Sequence, residues 1–185
     1  MSNLIAKLRS DHVNMARLLR ILEREVSEFE SGTSPDWGLV RAIGAYFADY
    51  PDLCHHPKED VIAAAMHDHG LEMDSPIHGL GAKHEELAVL LRRFLDTIER
   101  VLGETELPRD YFVRVADEFI QSQRRHIEME ELHFFPKAEQ MLSAADLQGL
   151  EERVPQVRDP LFGEDVDERF QTLLDNILRW ESQTS

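Results

Sequence analysis

The chain of 185 residues holds one cysteine, Cys54. No intramolecular disulfide can form, and nothing in the sequence points to an oxidising compartment. Cys54 itself reads first as a small buried packing residue. Basic residues are also scarce, 20 against 36 acidic ones, for a formal net charge of −16. Such a surface repels phosphate backbones and anionic lipid, so nucleic acid and membrane partners are not expected. The plain role of the charge is solubility; attraction for cations is consistent with it but charge alone does not make a metal site. No run approaches the roughly 18 apolar residues of a transmembrane helix. The segment MSNLIAKLRSDH has no apolar core of a signal peptide and no small-residue cleavage site, and a cytoplasmic location is the expectation. There is no glycine-rich phosphate loop, and no serine placed with His and Asp as in a triad. Glycine and proline number only 9 and 8 and cluster at a few places, which leaves long stretches free of helix breakers. What is there in quantity is apolar residues, 42% beside 30% charged, enough to bury a core and to exclude a disordered chain.

The breaker-free stretches carry helical periodicity. The first helix is expected from Asn3 to Glu30, with Leu8, Met15, Leu19, Leu22, Val26 and Phe29 on one face; with His12 in the gap, the spacing alternates four and three unbroken. Ser31-Gly32 ends it and Ser34-Pro35-Asp36 opens the next. The second helix is expected from Asp36 to His67, with Val40, Ile43, Phe47 and Tyr50 on one face and Ile62 and Met66 further on. Pro51 predicts a kink or break, and Pro57 fits the first turn of a restarted helix. The loop from Asp68 to Pro76 leads to a third helix, Ile77 to Leu102, whose stripe is Leu80, His84, Leu87, Leu91, Phe94, Ile98 and Val101. The fourth runs from Arg109 to Met141, with Phe112, Val115, Phe119, Ser122, His126, Glu130, His133 and Lys137 in line and a bend at Pro136. A short helix capped by Ser143 reaches Val154, a loop spans Pro155 to Gly163, and a last amphipathic helix covers Asp165 to Trp180. No strand signal competes. The reading is an all-α, up-down-up-down four-helix bundle over residues 1–142, with a helical extension over 143–185 packed on it.

Polar residues on these apolar stripes carry the chemistry. His12 and His84 each interrupt a seam, and His55/Glu59 and His126/Glu130 are pairs four residues apart, which share one helix face. Turned inward together, they bring four imidazoles and two carboxylates to one place. Buried carboxylates are costly unless a positive group meets them, and among basic residues only Lys137 lies near this face. A metal pair would supply the charge. Imidazole plus carboxylate suits iron, and also manganese or zinc; six donors exceed the four of a lone structural zinc. His56 with Asp60 has the same spacing as His55 with Glu59. The latter is preferred, because Glu59-Asp60-Val61 then corresponds to Glu130-Glu131-Leu132 in the other half.

These pieces, in the order Asp11-His12, HHPKED from His55 to Asp60, Lys83-His84-Glu85-Glu86, and HIEMEELHFFP from His126 to Pro136, resemble the bacterial members of the hemerythrin-like, HHE cation-binding family over roughly Leu4 to Met141. The resemblance implies a non-haem di-iron site on His12, His55, Glu59, His84, His126 and Glu130, with bridging carboxylates and with water, oxo or hydroxo groups completing the two shells. It implies a small ligand at the open positions: dioxygen, peroxide or nitric oxide. Oxygen-carrying hemerythrins resemble the pattern but place a further histidine where Leu80 stands here, and use Asp at a longer spacing after the last histidine. That departure leans away from reversible oxygen transport and toward redox chemistry, sensing or iron handling. The expected function is therefore a di-iron protein that binds or turns over a small oxidant, as a peroxide- or oxygen-reactive oxidoreductase or a sensor in oxidative stress. The alternative is a metal-dependent regulatory or structural module without turnover, whose acidic face and C-terminal helices meet a protein partner; a zinc or metal-free structural bundle is third.

Other residues have plainer expectations. His56, His67, His69 and His78 are expected in solvent, and His133, one turn after Glu130, is a minor candidate ligand. Tyr46, Tyr50, Phe134 and Phe135 are expected to pack, and Glu85, Glu86, Glu128 and Glu131 to form a solvated face or to orient ligating histidines.

Overall fold

A computed structural model of the chain describes residues 4–70, 79–103, 107–154, 157–163 and 165–184. Eight α-helices make up most of it: α1 (Leu4–Glu30), α2 (Trp37–Asp49), α3 (His56–Asp68), α4 (Leu80–Leu102), α5 (Arg109–Met129), α6 (Phe135–Met141), α7 (Ala144–Arg153) and α8 (Gln171–Thr184). There is no strand among the described residues. The start of the third helix at Ile77, the loop residues around Asp74 and Pro76, and His78 lie outside the described residues.

Helices α2 and α3 form one rod, as do α5 and α6. Each rod is joined through a π-turn, Pro51–His55 in the first and Glu130–Phe134 in the second. The prolines explain the turns. Pro57 and Pro136 stand in the first turn of α3 and α6, where they offer no N–H to the carbonyl four residues back and would crowd it. The wider turn removes the conflict. The His55 N–H bonds to the Tyr50 carbonyl at 3.1 Å, and the His56 N–H to that of Pro51. The expected kink at Pro51 is thus a one-residue bulge, and the helix continues through it.

With these rods the topology is the expected up-down-up-down bundle. The α1 rod packs on α2 and α5, and α4 packs on α5, α2 and α3. The α2 rod starts cleanly because the Asp36 side chain accepts from the Leu39 N–H. At Gly44 the rods approach so closely that a Cβ would stand 2.8 Å from Leu95 Cδ2. The seams of α1 and α4 are four-three stripes, as the periodicity demands; the second rod steps five residues from Tyr50 to His55 at its π-turn, and the fourth rod departs further. There the π-turn rotates the face, so that Phe134, Phe135 and Ala138 are buried and His133 and Lys137 are exposed. The expected stripe through His133 and Lys137 is corrected accordingly.

The apolar interior falls into two clusters. The larger gathers Met15 to Val26 of α1, Val40 to Tyr50, Leu91 to Ile98 and Phe112 to Ile120. The smaller holds Leu4, Ile5, Leu8, Ile62, Met66, Leu80, Phe134, Phe135, Ala138 and Leu142. The C-terminal elements close both. Leu150 and Val154, in and just after α7, join the smaller cluster, and Leu161, Phe170, Leu173 and Ile177 join the larger. Ser143 caps α7 in a reciprocal box with Asp146, as its sequence position predicts. The last helix begins later than expected: Asp167 caps a short 3-10 turn, Glu168–Phe170, which leads into α8. Asp159, in the loop before it, is buried and accepts from the Tyr46 hydroxyl and from the Leu161 and Phe162 N–H groups, each at 2.9 Å.

Candidate metal centre

Between the two apolar clusters lies a single polar layer. His12 sits on α1 between Leu8 and Met15, and His84 on α4 between Leu80 and Leu87. His55 and Glu59 lie on the second rod, between Tyr50 and Ile62, and His126 and Glu130 on the fourth, between Ile120 and Phe134. All six side chains are buried, Glu59 and Glu130 completely, at 0% exposure. The ion-pair partners of Glu59 and Glu130 among the described residues are imidazoles only. Lys137, which the sequence left as the one basic candidate, is exposed and reaches Gln140 instead.

The carboxylate oxygens divide the imidazoles into two groups. Glu59 turns Oε1 to Nε2 of His55 at 3.1 Å and of His12 at 3.6 Å, and Oε2 to Nε2 of His84 at 3.6 Å. Glu130 turns Oε2 to Nε2 of His12 at 3.3 Å, and Oε1 to Nε2 of His126 at 3.1 Å and of His84 at 3.5 Å. One oxygen of each carboxylate therefore faces His12 and its side of the layer, and the other faces His84 and His126. Nε2 of His12 and Nε2 of His55 stand 3.1 Å apart. Metal–imidazole bonds of about 2.1 Å place neighbouring donors about 3 Å apart.

An outer set of carboxylates holds the rings. Asp11 Oδ2 meets His55 Nδ1 at 3.0 Å, Glu131 Oε1 meets His12 Nδ1 at 2.8 Å, and Asp60 Oδ1 meets His84 Nδ1 at 2.9 Å. An ionised carboxylate only accepts, so Nδ1 carries a proton, and in the neutral ring the Nε2 lone pair is the one that faces inward.

Whether a cation suits these residues can be read from what lacks a partner. His84 Nε2, His126 Nε2, His56 Nδ1 and both oxygens of Glu59 and Glu130 are buried without a hydrogen bond. Each such group costs about 1–3 kcal/mol if left unmet. Four carboxylate oxygens and three imidazole nitrogens left unmet in one buried layer fit a cation, and the set of imidazole nitrogen and carboxylate oxygen fits a first-row metal. The electrostatics agree. Burial pushes the His12 imidazole down, yet Glu130 and Glu59 hold its pKa up at about 10. Burial opposes His84 likewise, while Asp60, Glu130 and Glu59 raise it to about 9. Burial would raise Glu130, but His12, His126 and His84 hold it well below the usual carboxylate range. The layer is thus built around positive charge.

Each sequence-predicted residue can now be placed. His12, His55, Glu59, His84, His126 and Glu130 meet in the layer. His56, expected in solvent, is buried at 4% exposure; the π-turn before it brings it inward beside His55, where its ring stacks on His84 at a centroid distance of 4.3 Å and 9°. Burial and the neighbouring His84, His55 and His126 hold its pKa well below the ordinary value. Asp60 does not join the cluster and serves His84 from outside. His67, His69 and His133 are exposed, as are Glu85, Glu86 and Glu128. Glu131 orients His12. Tyr46 and Tyr50 are buried and also hydrogen-bonded, Tyr50 donating to Asp11 Oδ2 at 3.2 Å. Cys54 is half-buried where full burial was expected, because the π-turn tilts it toward the surface. Leu80 belongs to the smaller apolar cluster. The orienting roles of Asp11 and Asp60 were missed; the available signal was an acidic residue directly beside a metal-type His or Glu.

Two groups able to hold an ion emerge, His12 with His55 and Glu59, and His56 with Glu59, His84 and His126. Beside them, His126, Leu87, Leu90, Ser122, Arg125 and Met129 line part of a cavity of about 260 Å³ between α4 and α5. No helix among the described residues is long and apolar enough to cross a membrane. The sequence model of the family described as Hemerythrin HHE cation binding domain matches residues 3–138. No curated protein and no solved structure matches the chain.

Proposed function

The chain belongs to the hemerythrin HHE cation-binding domain family, and from that premise we propose that it is a non-haem di-iron protein that binds or reacts with a small oxidant: dioxygen, peroxide or nitric oxide. The observation that carries the reading is the division of each carboxylate. Glu59 and Glu130 each turn one oxygen toward His12 and the other toward His84, the arrangement that two cations sharing both carboxylates would require. His12 and His55 would hold one ion, His84 and His126 the other. Manganese or zinc would suit the donors, but only iron or manganese adds redox chemistry, and iron is the metal proposed. When bound, the pair supplies one-electron redox steps and coordination positions that the side chains leave free.

The chain's own residues do the rest. Asp11, Asp60 and Glu131 lock three imidazoles into the donor tautomer. Phe135 packs on His12 at a centroid distance of 5.3 Å and, with the two apolar clusters, keeps bulk water from the layer. The cavity bordered by His126, Leu87, Leu90 and Met129 gives a small ligand an approach from the α4/α5 side.

Elemental analysis of protein purified without a metal-binding tag tests the reading. About two irons per chain are expected, with charge-transfer absorption after oxidation, and His126→Ala should lose both. Full iron and an unchanged spectrum in that variant would remove the site assignment. A second reading, a metal-dependent module without turnover, is favoured by one observation: Asp159 ties the C-terminal segment to Tyr46, whose ring lies 6.1 Å from that of Tyr50, the partner of Asp11. Peroxide, dioxygen and nitric oxide assays on the iron-loaded protein separate the two, since the module predicts the same iron and no consumption.

A further inference from the structure

We propose that His56 is a seventh protein ligand, giving the ion held by His84 and His126 a third imidazole while His12 and His55 serve the other; this rests on the two-ion reading above. A buried histidine with no such role is ordinarily satisfied by a hydrogen bond. His56 is not: its Nδ1 is buried and unpartnered, although its exposure is only 4%. Its place is specific. Donor atoms of His56, Glu59, His84 and His126 all lie within 4.8 Å of one another, and only Glu59 is shared with the group of His12, His55 and Glu59. The ring faces His84 at 4.3 Å and stands edge-on to His126 at 5.4 Å and 86°.

The way the rings are held separates His56 from its neighbours. His12, His55 and His84 are tethered at Nδ1 by carboxylates. His56 has no such tether on Nδ1, and that buried nitrogen is left open to a cation. On a regular α-helix two consecutive residues point about 100° apart and do not share a site. At the end of the wide turn Pro51–His55, His55 and His56 are nonetheless both buried and both have a ligand atom near Glu59, and π-turns of this kind occur preferentially at functional sites. The two ions are then unequal, with three imidazoles on one and two on the other.

Iron titration against a chelator, with Mössbauer spectra of the loaded protein, tests this without recourse to activity. His56→Phe keeps a ring against His84 and removes both nitrogens; His56→Ala opens room for free imidazole. Far-UV circular dichroism checks that both variants fold. Each should bind one of the two irons at least roughly ten-fold more weakly, the lower end of what even an orienting residue costs when lost. One of two unequal quadrupole doublets should change, and imidazole should restore the alanine variant. His56→Phe with both irons held as tightly as in the parent, and with unchanged doublets, would overturn the proposal while leaving the di-iron reading intact. A parent protein that takes up fewer than two irons would overturn the di-iron reading itself.

Discussion

Asp11 touches two groups at once. Its Oδ2 meets the Tyr50 hydroxyl at 3.2 Å and His55 Nδ1 at 3.0 Å. A carboxylate so placed fixes a histidine ring that nothing else hydrogen-bonds from outside the layer. Asp11→Ala should therefore weaken iron binding by about 10- to 100-fold with helix content unchanged. Chelator competition measures this, and an unchanged affinity would mean that packing alone orients His55. Asp159 makes a different point. Burial raises its carboxyl above the usual range, against bonds from Phe162, Leu161 and Tyr46 that lower it. A raised carboxyl stabilises the folded state when protonated. That contribution is full below the unfolded value of about 3.9 and is lost as pH rises through the folded one. The stability of the parent relative to Asp159→Asn should thus fall from pH 4 upward, as urea unfolding of both proteins at a series of pH values would record. A difference independent of pH would show that Asp159 titrates normally.

At the scale of the elements, the two π-turns decide what the sequence could reveal. The stripes of α1 and α4 are unbroken four-three repeats, and His12 and His84 were legible as polar residues inside them. His55/Glu59 and His126/Glu130 were legible because residues four apart share a face. Beyond the π-turn that begins at Glu130, the period no longer holds. His133 and Lys137 continue the count but face solvent, while Phe134 and Ala138 turn inward. His56 was misread for the same reason, since a regular helix admits only one of two neighbouring residues to a site. The prolines at 57 and 136 signalled an interruption, but the sequence did not distinguish a kink from a one-residue bulge. Asp11 and Asp60 act across helices, and one-dimensional periodicity carries no such information. The bulge can be tested directly. Leu53 is an exposed residue of the first π-turn, and its deletion should force the wide turn into a regular one, with Pro57 then crowding the carbonyl four residues back and the ligating side chains after it displaced. The expected variant keeps its circular dichroism and loses its iron; retained iron would show that the second rod can repack around the site.

Across the whole molecule, the C-terminal elements pack on α1, α2 and α3 and share the apolar clusters rather than hang from the bundle. Leu161, Phe170, Leu173 and Ile177 complete the larger apolar cluster, and Leu150 and Val154 the smaller. Residues 143–185 form an extension in sequence, but their removal uncovers both clusters. A chain cut after Leu142 should remain helical, melt at a lower temperature and bind a hydrophobic dye such as ANS, and calorimetry with dye fluorescence would check it. Equal melting temperatures would mark the extension as dispensable to the core.

The polar layer between the clusters is also a ruler. Leucine and phenylalanine seams tolerate sliding, because one apolar side chain replaces another at modest cost. Sliding one rod by a single turn, about 5.4 Å, would set Glu59 or Glu130 against hydrocarbon and leave imidazoles without their carboxylates. Four rods marked at one height can align in a single axial position. The residues read here as ligands therefore also fix which layer of each helix meets which.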